Sequence, residues 1–308
     1  MLAFNRIPGK VLKLFTTTRR LGLSSKPLQT LNTSSNKLAS GQPPPKQHEP
    51  ESNHAVMCVP LKTGTTNWQK FLLAVMRNSS MENVEKLGWR KVGKELGGFS
   101  SARDRFGDRK LQIETLFYQS NKIFRFLNVR HPLARLNSAW RDKFTVSSDQ
   151  SDSRNKKMHR AYADVTAKIK NEFEDEISLK TKKKSERVSF LAFLRFIGYG
   201  TGMTSDLNFH WMTYQSACQP CSVPFDFVTK IETAERDSKL ILEQMGPDFQ
   251  HLNPILQKYS SSNMDYANYV DRLKSIYAII PRDLVLRIFK IFELDFEMFG
   301  YDIGPFIE

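Results

Sequence analysis

Lys62, Thr63, Gly64, Thr65, Thr66 and Asn67 stand together in the stretch PLKTGTTNW, between an apolar run at Val56–Pro60 and an amphipathic segment at Trp68–Met76. Strand, small-residue loop and helix in that order make an anion cradle. Backbone N–H groups at a helix N-terminus point into the preceding loop, and the helix dipole favours negative charge there. Gly64 lets the backbone approach closely, Lys62 adds a full positive charge, and the threonines add hydroxyl donors. Here the lysine precedes the glycine, whereas a Walker loop places it after the second of two glycines. A nucleoside triphosphatase is therefore disfavoured. Further along, in FLNVRHPLARLNSAWRDKF, Arg130 ends an apolar run and Ser138 lies two helical turns beyond it. A forked guanidinium and a hydroxyl donor suit a phosphate monoester.

These residues need elements to hold them. Apolar runs at 55–60, 122–130 (KIFRFLNVR) and 225–230 (FDFVTK) read as strands. Segments at 68–77, at PLARLNSAWRDKF from Pro132, at 188–200, and at 233–246 with Thr233 as its cap read as helices. The C-terminal stretch PRDLVLRIFKIFELDFEMFGYD repeats apolar residues at helical spacing. Strands alternating with helices argue for an α/β fold, a central parallel sheet flanked by helices. Residues 145–187 are highly charged and end in KTKKKSER, which reads as a solvated face.

The 308 residues suit one sizeable domain with appendages, and no run approaches a membrane span. Residues 1–48 hold eight basic residues and no acid, leaving 38 basic against 32 acidic residues elsewhere, a net +6. That modest excess fits an anionic substrate and does not call for nucleic acid. Residues 1–54 therefore read as a basic, disordered tail, as a mitochondrial transit peptide, or as an incomplete start; 55–308 form the ordered domain. Only Cys58, Cys218 and Cys221 are present. Cys218 and Cys221 form one C-x-x-C, read as a local structural pair rather than half of a metal site.

PLKTGTTNW resembles the 5′-phosphosulfate loop of the sulfotransferases, P-K-x-G-T/C-T-x-W. The 126–144 stretch resembles their 3′-phosphate segment. The blocks HW at 210–211, CQPCSVPFDFVTKIETAERD at 218–237 and LDFEMFGYD at 294–302 are similar to the Golgi carbohydrate sulfotransferases, in the group with the chondroitin 4-sulfotransferases and the HNK-1 sulfotransferase. Leu61 departs from the usual proline, and Thr65 stands where this group often has cysteine. The resemblance implies a P-loop-like sulfotransferase fold and a donor, 3′-phosphoadenylyl sulfate (PAPS), with no metal. It implies an anionic glycan acceptor, chondroitin-type first, and a Golgi setting, with membrane association only through an anchor that this sequence does not display. Alternatives are transfer to small molecules or lipids, and a non-catalytic binder of nucleotide or glycan. By resemblance, Lys62 neutralises charge on the leaving group, residues 63–67 hold the phosphosulfate, and Arg130 and Ser138 hold the 3′-phosphate. Arg135, Arg141 and Lys143 either build structure or add positive field. His210 ranks first as the general base, with Glu114 and Asp206 behind it; a histidine packed beside Trp211 is the alternative. A His210 base implies an acid limb in the rate near the imidazole value of ~6.5.

Overall fold

The structure, a computed structural model, describes residues 2–5, 54–77, 83–84, 86–95, 123–145, 160–183, 186–200, 208–245 and 266–308. Its strands are β1 (Leu2–Asn5), β2 (His54–Cys58), β3 (Ile123–Val129) and β4 (Phe227–Lys230). They form one sheet in the order β1-β2-β3-β4. β2, β3 and β4 run parallel, with Cys58 opposite Leu127 and Val129 opposite Lys230. β1 lies antiparallel on the edge of β2; the rest of the expected tail falls outside the described residues. The three strands expected from apolar runs are thus the three parallel ones, and each runs into a polar segment at its carboxyl end.

Helix α1 (Thr65–Arg77) follows β2, and α2 (Trp89–Glu95) packs beside it. α1 begins at Thr65 rather than Trp68, so Thr65 and Thr66 belong to its first turn. Trp68, Phe71, Leu73 and Ala74 are buried, and the Trp68 ring lies 5.2 Å from that of Phe126 on β3. Each such large apolar side chain contributes ~1.5–3 kcal/mol on burial. Helix α3 (Pro132–Phe144) follows β3 directly. Pro132 sits in its first turn, where its missing N–H costs nothing, and His131 caps it by accepting the Leu133 N–H on Nδ1 at 3.2 Å.

Helices α4 (Ala163–Phe173) and α5 (Glu176–Thr181) precede α6 (Phe190–Arg195). The expected single helix over 188–200 changes to a π-helix at Phe196–Gly200. There a Cβ on Gly198 would stand 2.9 Å from Leu284 Cδ1, so this backbone packs directly on the C-terminal helix. After α7 (Tyr214–Cys218) and β4 comes α8 (Ala234–Met245). Thr233 does not act as a simple cap for α8: it ends a 3-10 turn, Ile231–Thr233, and donates its hydroxyl to Asp237 at 2.6 Å. α9 (Tyr266–Tyr277) and α10 (Arg282–Phe299) close the fold. Leu284, Val285, Ile288, Phe292, Phe296 and Phe299 turn one face of α10 into the core, as their spacing requires. Among the described residues no helix is long and apolar enough to cross a membrane.

The local C-x-x-C pair is corrected. Cys218 joins Cys58 in a disulfide across 160 residues of chain, and Cys221 is a free, exposed thiol. Cys218 ends α7 facing the core, and Gln219 then turns left-handed at φ 52°, which sends Cys221 to the surface.

Candidate active site

The loop after β2 turns left-handed twice, at Lys62 (φ 74°) and at Gly64 (φ 83°). Gly64 is required by its dihedral rather than by space, since a Cβ there would meet nothing nearer than Ile231 Cδ1 at 3.5 Å. Lys62 is no glycine, so its left-handed backbone is strained and is held by the contacts around it. The Thr65 and Thr66 amides that open α1 find no backbone acceptor among the described residues, so they remain donors facing the loop. The hydroxyls are shared differently from expectation. Thr63 and Thr65 both donate to the Pro60 carbonyl, at 2.6 and 3.1 Å, which fixes the turn. Thr66 and Asn67 stay on the outer side, exposed and half-buried.

β3 and α3 hold this loop from below. The Asn128 amide donates to the Thr63 carbonyl and accepts from the Thr229 hydroxyl at 2.8 Å, tying β2, β3 and β4 at their carboxyl ends. Arg130 donates from Nη1 to the Lys62 carbonyl at 3.3 Å, and from Nε to the Tyr269 hydroxyl at 3.5 Å. Its main chain is clasped by the Tyr214 hydroxyl, which accepts from its N–H at 2.7 Å and donates to its carbonyl at 2.8 Å. Ser138 is half-buried on α3, and its hydroxyl makes no hydrogen bond among the described residues. Of the other basic residues on α3, Arg135 is structural: it is buried, donates to the Met212 carbonyl, pairs with Asp295 at 3.9 Å and lies 4.6 Å over the Tyr214 ring. Arg141 points to solvent.

Lys62 forms an ion pair with Asp142 on α3, which also pairs with Lys143 at 3.0 Å. Burial alone would raise the Asp142 pKa, but the charges and hydrogen bonds of Lys62 and then Lys143 win and hold it at about 2. Lys143 in turn lies 5.3 Å over the Tyr162 ring, and the Tyr162 hydroxyl sits 2.7 Å from His210 Nδ1. The same nitrogen lies 2.8 Å from Asn208 Oδ1, while Nε2 has no hydrogen-bond partner among the described residues. The structure thus brings His210 into one connected cluster with Lys62, although 148 positions separate them in the sequence. His210 is buried, 6.3 Å from the Trp211 ring, so packing beside Trp211 and membership of the cluster hold together. Burial, then the charges of Lys143 and Lys62, push its pKa down to about 2. An acid limb arising from His210 would therefore lie well below the free imidazole value. Glu114 and Asp206 lie outside the described residues.

Asp142, Tyr162 and Asn208 are cluster members that sequence reasoning missed. For Asp142 a signal existed: it neighbours Lys143 in RDKF, three residues beyond the buried Ala139 and so on a partly buried flank of α3. Tyr162 and Asn208 stand in segments with no readable pattern.

A parallel sheet whose carboxyl edge carries a cationic, helix-opening loop is the arrangement in which α/β proteins bind anions. Residues 50–302 match the model of the sulfotransferase family, and the chain belongs to that family, with the α/β fold its enzymes share. It is similar to carbohydrate sulfotransferase 10 of Xenopus laevis, 26% identical over 268 residues covering 83% of this chain and 67% of that protein. It is also similar to carbohydrate sulfotransferase 11 of Mus musculus, 23% identical over 264 residues, 84% of this chain and 67% of the relative. Carbohydrate sulfotransferase 12 of Mus musculus is 24% identical over 279 residues, 82% of this chain and 59% of the relative. No solved structure matches the chain significantly.

Proposed function

We propose that this protein transfers a sulfuryl group from PAPS to a sugar hydroxyl on a glycosaminoglycan or glycoprotein glycan, with chondroitin-type chains the first acceptor to test. The observation that carries the reading is the contact path Lys62–Asp142–Lys143–Tyr162–His210, which joins a cation suited to a leaving group with a base suited to an acceptor. The donor set fits the donor substrate. Helix-opening amides with no backbone acceptor among the described residues, together with Lys62, suit the phosphosulfate, and Arg130 with the Ser138 hydroxyl, also without a described partner, suits a 3′-phosphate.

In this reading the acceptor oxygen forms a bond to sulfur as the bond from sulfur to the bridging phosphate oxygen breaks. Negative charge grows on that bridging oxygen, and the Lys62 ammonium stabilises it. His210 takes the acceptor proton on Nε2. Both oxygens beside Nδ1, those of Asn208 and Tyr162, can accept, so Nδ1 carries the ring proton and Nε2 keeps the lone pair. Burial keeps the imidazole neutral in the ligand-free protein. The net positive domain suits an acidic glycan. The Cys58–Cys218 disulfide suits an oxidising compartment, in keeping with the Golgi lumen.

The test has two arms. Adenosine 3′,5′-bisphosphate should raise the melting temperature, and radiolabelled sulfate should pass from PAPS to one of a panel of desulfated glycans. Nucleotide binding with no transfer to any glycan, lipid or small phenol would replace this reading with a binding protein. Transfer to lipids or phenols alone would remove the glycan.

A further inference from the structure

Lys230 closes β4, and its pairing with Val129 sets it beside the residue that precedes Arg130. With Thr63, Gly64, Asn67 and Asn128 it lines a small cavity at the carboxyl edge of the sheet. Its side chain is half-buried, its Nζ stands 4.6 Å over the Tyr301 ring, and it forms no ion pair among the described residues. The two carboxylates whose charges act on it, Glu232 and Asp237, are engaged elsewhere. Glu232 accepts from the His131 N–H at 2.8 Å, the Tyr269 hydroxyl at 3.2 Å and the Tyr301 hydroxyl at 3.0 Å. Asp237 accepts from the Lys230 N–H at 2.8 Å, the Thr233 hydroxyl at 2.6 Å and Arg236. Burial lowers the pKa of the Lys230 ammonium, and the charges of Glu232 and Asp237 offset this only in part. A cation taken partly out of water with no ion pair among the described residues is unfavourable, and an arriving anion would relieve it.

The position says which anion. Lys230 lines the cavity beside the loop after β2, and it also stands next to the β3–α3 junction that carries Arg130, whose Nε reaches the Tyr269 hydroxyl that donates to Glu232. His131, next to Arg130 in the chain, is held to a pKa of about 4 by burial first and then by the charges of Arg130 and Lys230 together.

We propose that Lys230 is a second cation for the 3′-phosphate of the donor nucleotide, acting beside Arg130. This rests on the PAPS reading above. The test titrates the wild type, Lys230→Met and Lys230→Arg with adenosine 3′,5′-bisphosphate and with adenosine 5′-monophosphate, and records the melting temperature of each protein without ligand. A wild type that prefers the bisphosphate upholds the PAPS reading; one with no preference refutes that reading and this inference with it. Given the preference, Lys230→Met should bind the bisphosphate about 10- to 100-fold more weakly and the monophosphate nearly as before, and Lys230→Arg should retain the preference. The ligand-free Lys230→Met protein should melt no lower than wild type, because methionine keeps the stem on Tyr301 and removes the desolvated charge. If methionine prevents folding, Lys230→Gln takes its place. An unchanged ratio between the two nucleotides, an equal loss for both, or lost preference that tracks a lower melting temperature overturns the Lys230 assignment and leaves the PAPS reading standing.

Discussion

Replacing Lys62 with methionine separates its chemistry from its contribution to the fold. Its partner Asp142 has a pKa lowered from 3.8 to about 2. At 1.36 kcal/mol per unit, the native surroundings favour that carboxylate by about 2 kcal/mol. Lys62 and Asp142 are 15% and 22% exposed, so solvent screens the pair only weakly. Lys143 stays 3.0 Å from the carboxylate in the variant, so removing Lys62 forfeits roughly half of the total, ~1 kcal/mol, or a few degrees of melting temperature. The sign follows from a depressed carboxylate pKa. The stabilisation is fully present above the unfolded value of ~3.9 and disappears as pH falls through about 2, so wild type and variant converge in acid. Transfer should instead fall ~100–1000-fold, the range for losing one preorganised charge contact. The assays are radiolabelled sulfate transfer at neutral pH and thermal melts at neutral pH and at about pH 3. A folded Lys62→Met protein within a few-fold of wild-type transfer would refute the role of Lys62. So would a loss of activity no larger than its loss of folded protein.

Arg130→Ala should weaken PAPS binding by about one to two decades and reduce discrimination between PAPS and adenosine 5′-phosphosulfate, measured by competition; unchanged discrimination places Arg130 elsewhere. His210→Ala should lower turnover by ~100–10,000-fold with nucleotide affinity nearly unchanged. Because the folded His210 has a pKa of about 2, it should give the wild-type rate no acid limb near 6.5, and a limb there that vanishes in the variant would contradict its buried environment. For stability the sign is the same as for Asp142, because both folded pKa values lie below the unfolded ones, but the window is wider. The unfolded chain protonates this imidazole below ~6.5 and the folded protein does not, so stability falls as pH drops, and less steeply in His210→Ala. Thiol titration should find one reactive thiol, Cys221, in the native protein and three after reduction, and reduction should lower stability by ~2–5 kcal/mol; three thiols without reduction would dismiss the Cys58–Cys218 bond.

What could be read from the sequence was what lies in short windows. The loop at 62–67 and the segment from Arg130 combine residue type, spacing and flanking periodicity, so both emerged with their strands and helices. The pairing of Lys62 with Asp142 did not, because it depends on how α3 is rotated above the loop, a tertiary matter that no local window contains. The cysteines show the same limit. C-x-x-C suggested proximity in sequence, but one left-handed residue, Gln219, turns the two sulfurs apart and sends Cys218 to a strand 160 residues away. The continuous helix over 188–200 failed for another reason. Gly198 permits contact with α10 at a distance a side chain would forbid, and the backbone widens to a π-helix there.

The β3–α3 junction explains why the second signature is so dense in polar residues. Asn128 holds the loop after β2 through Thr63; Arg130 reaches the carbonyl of Lys62. Two turns into α3, Ser138 presents a hydroxyl with no partner among the described residues, and a turn later Asp142 takes the Lys62 ammonium while Lys143 leads through Tyr162 to His210. One strand and the helix after it thus touch the 62–67 loop and carry Arg130 and Ser138, and they reach His210 through Lys143 and Tyr162. A shift of α3 along its axis would disturb all three together. Arg135, buried against Asp295 and Tyr214, and the Tyr277 hydroxyl, which donates to the Leu133 carbonyl at 2.9 Å, oppose that shift from the C-terminal helices. The distant block LDFEMFGYD, which contains Asp295, therefore bears on the site without lining it: it fixes the helix on which the site is built.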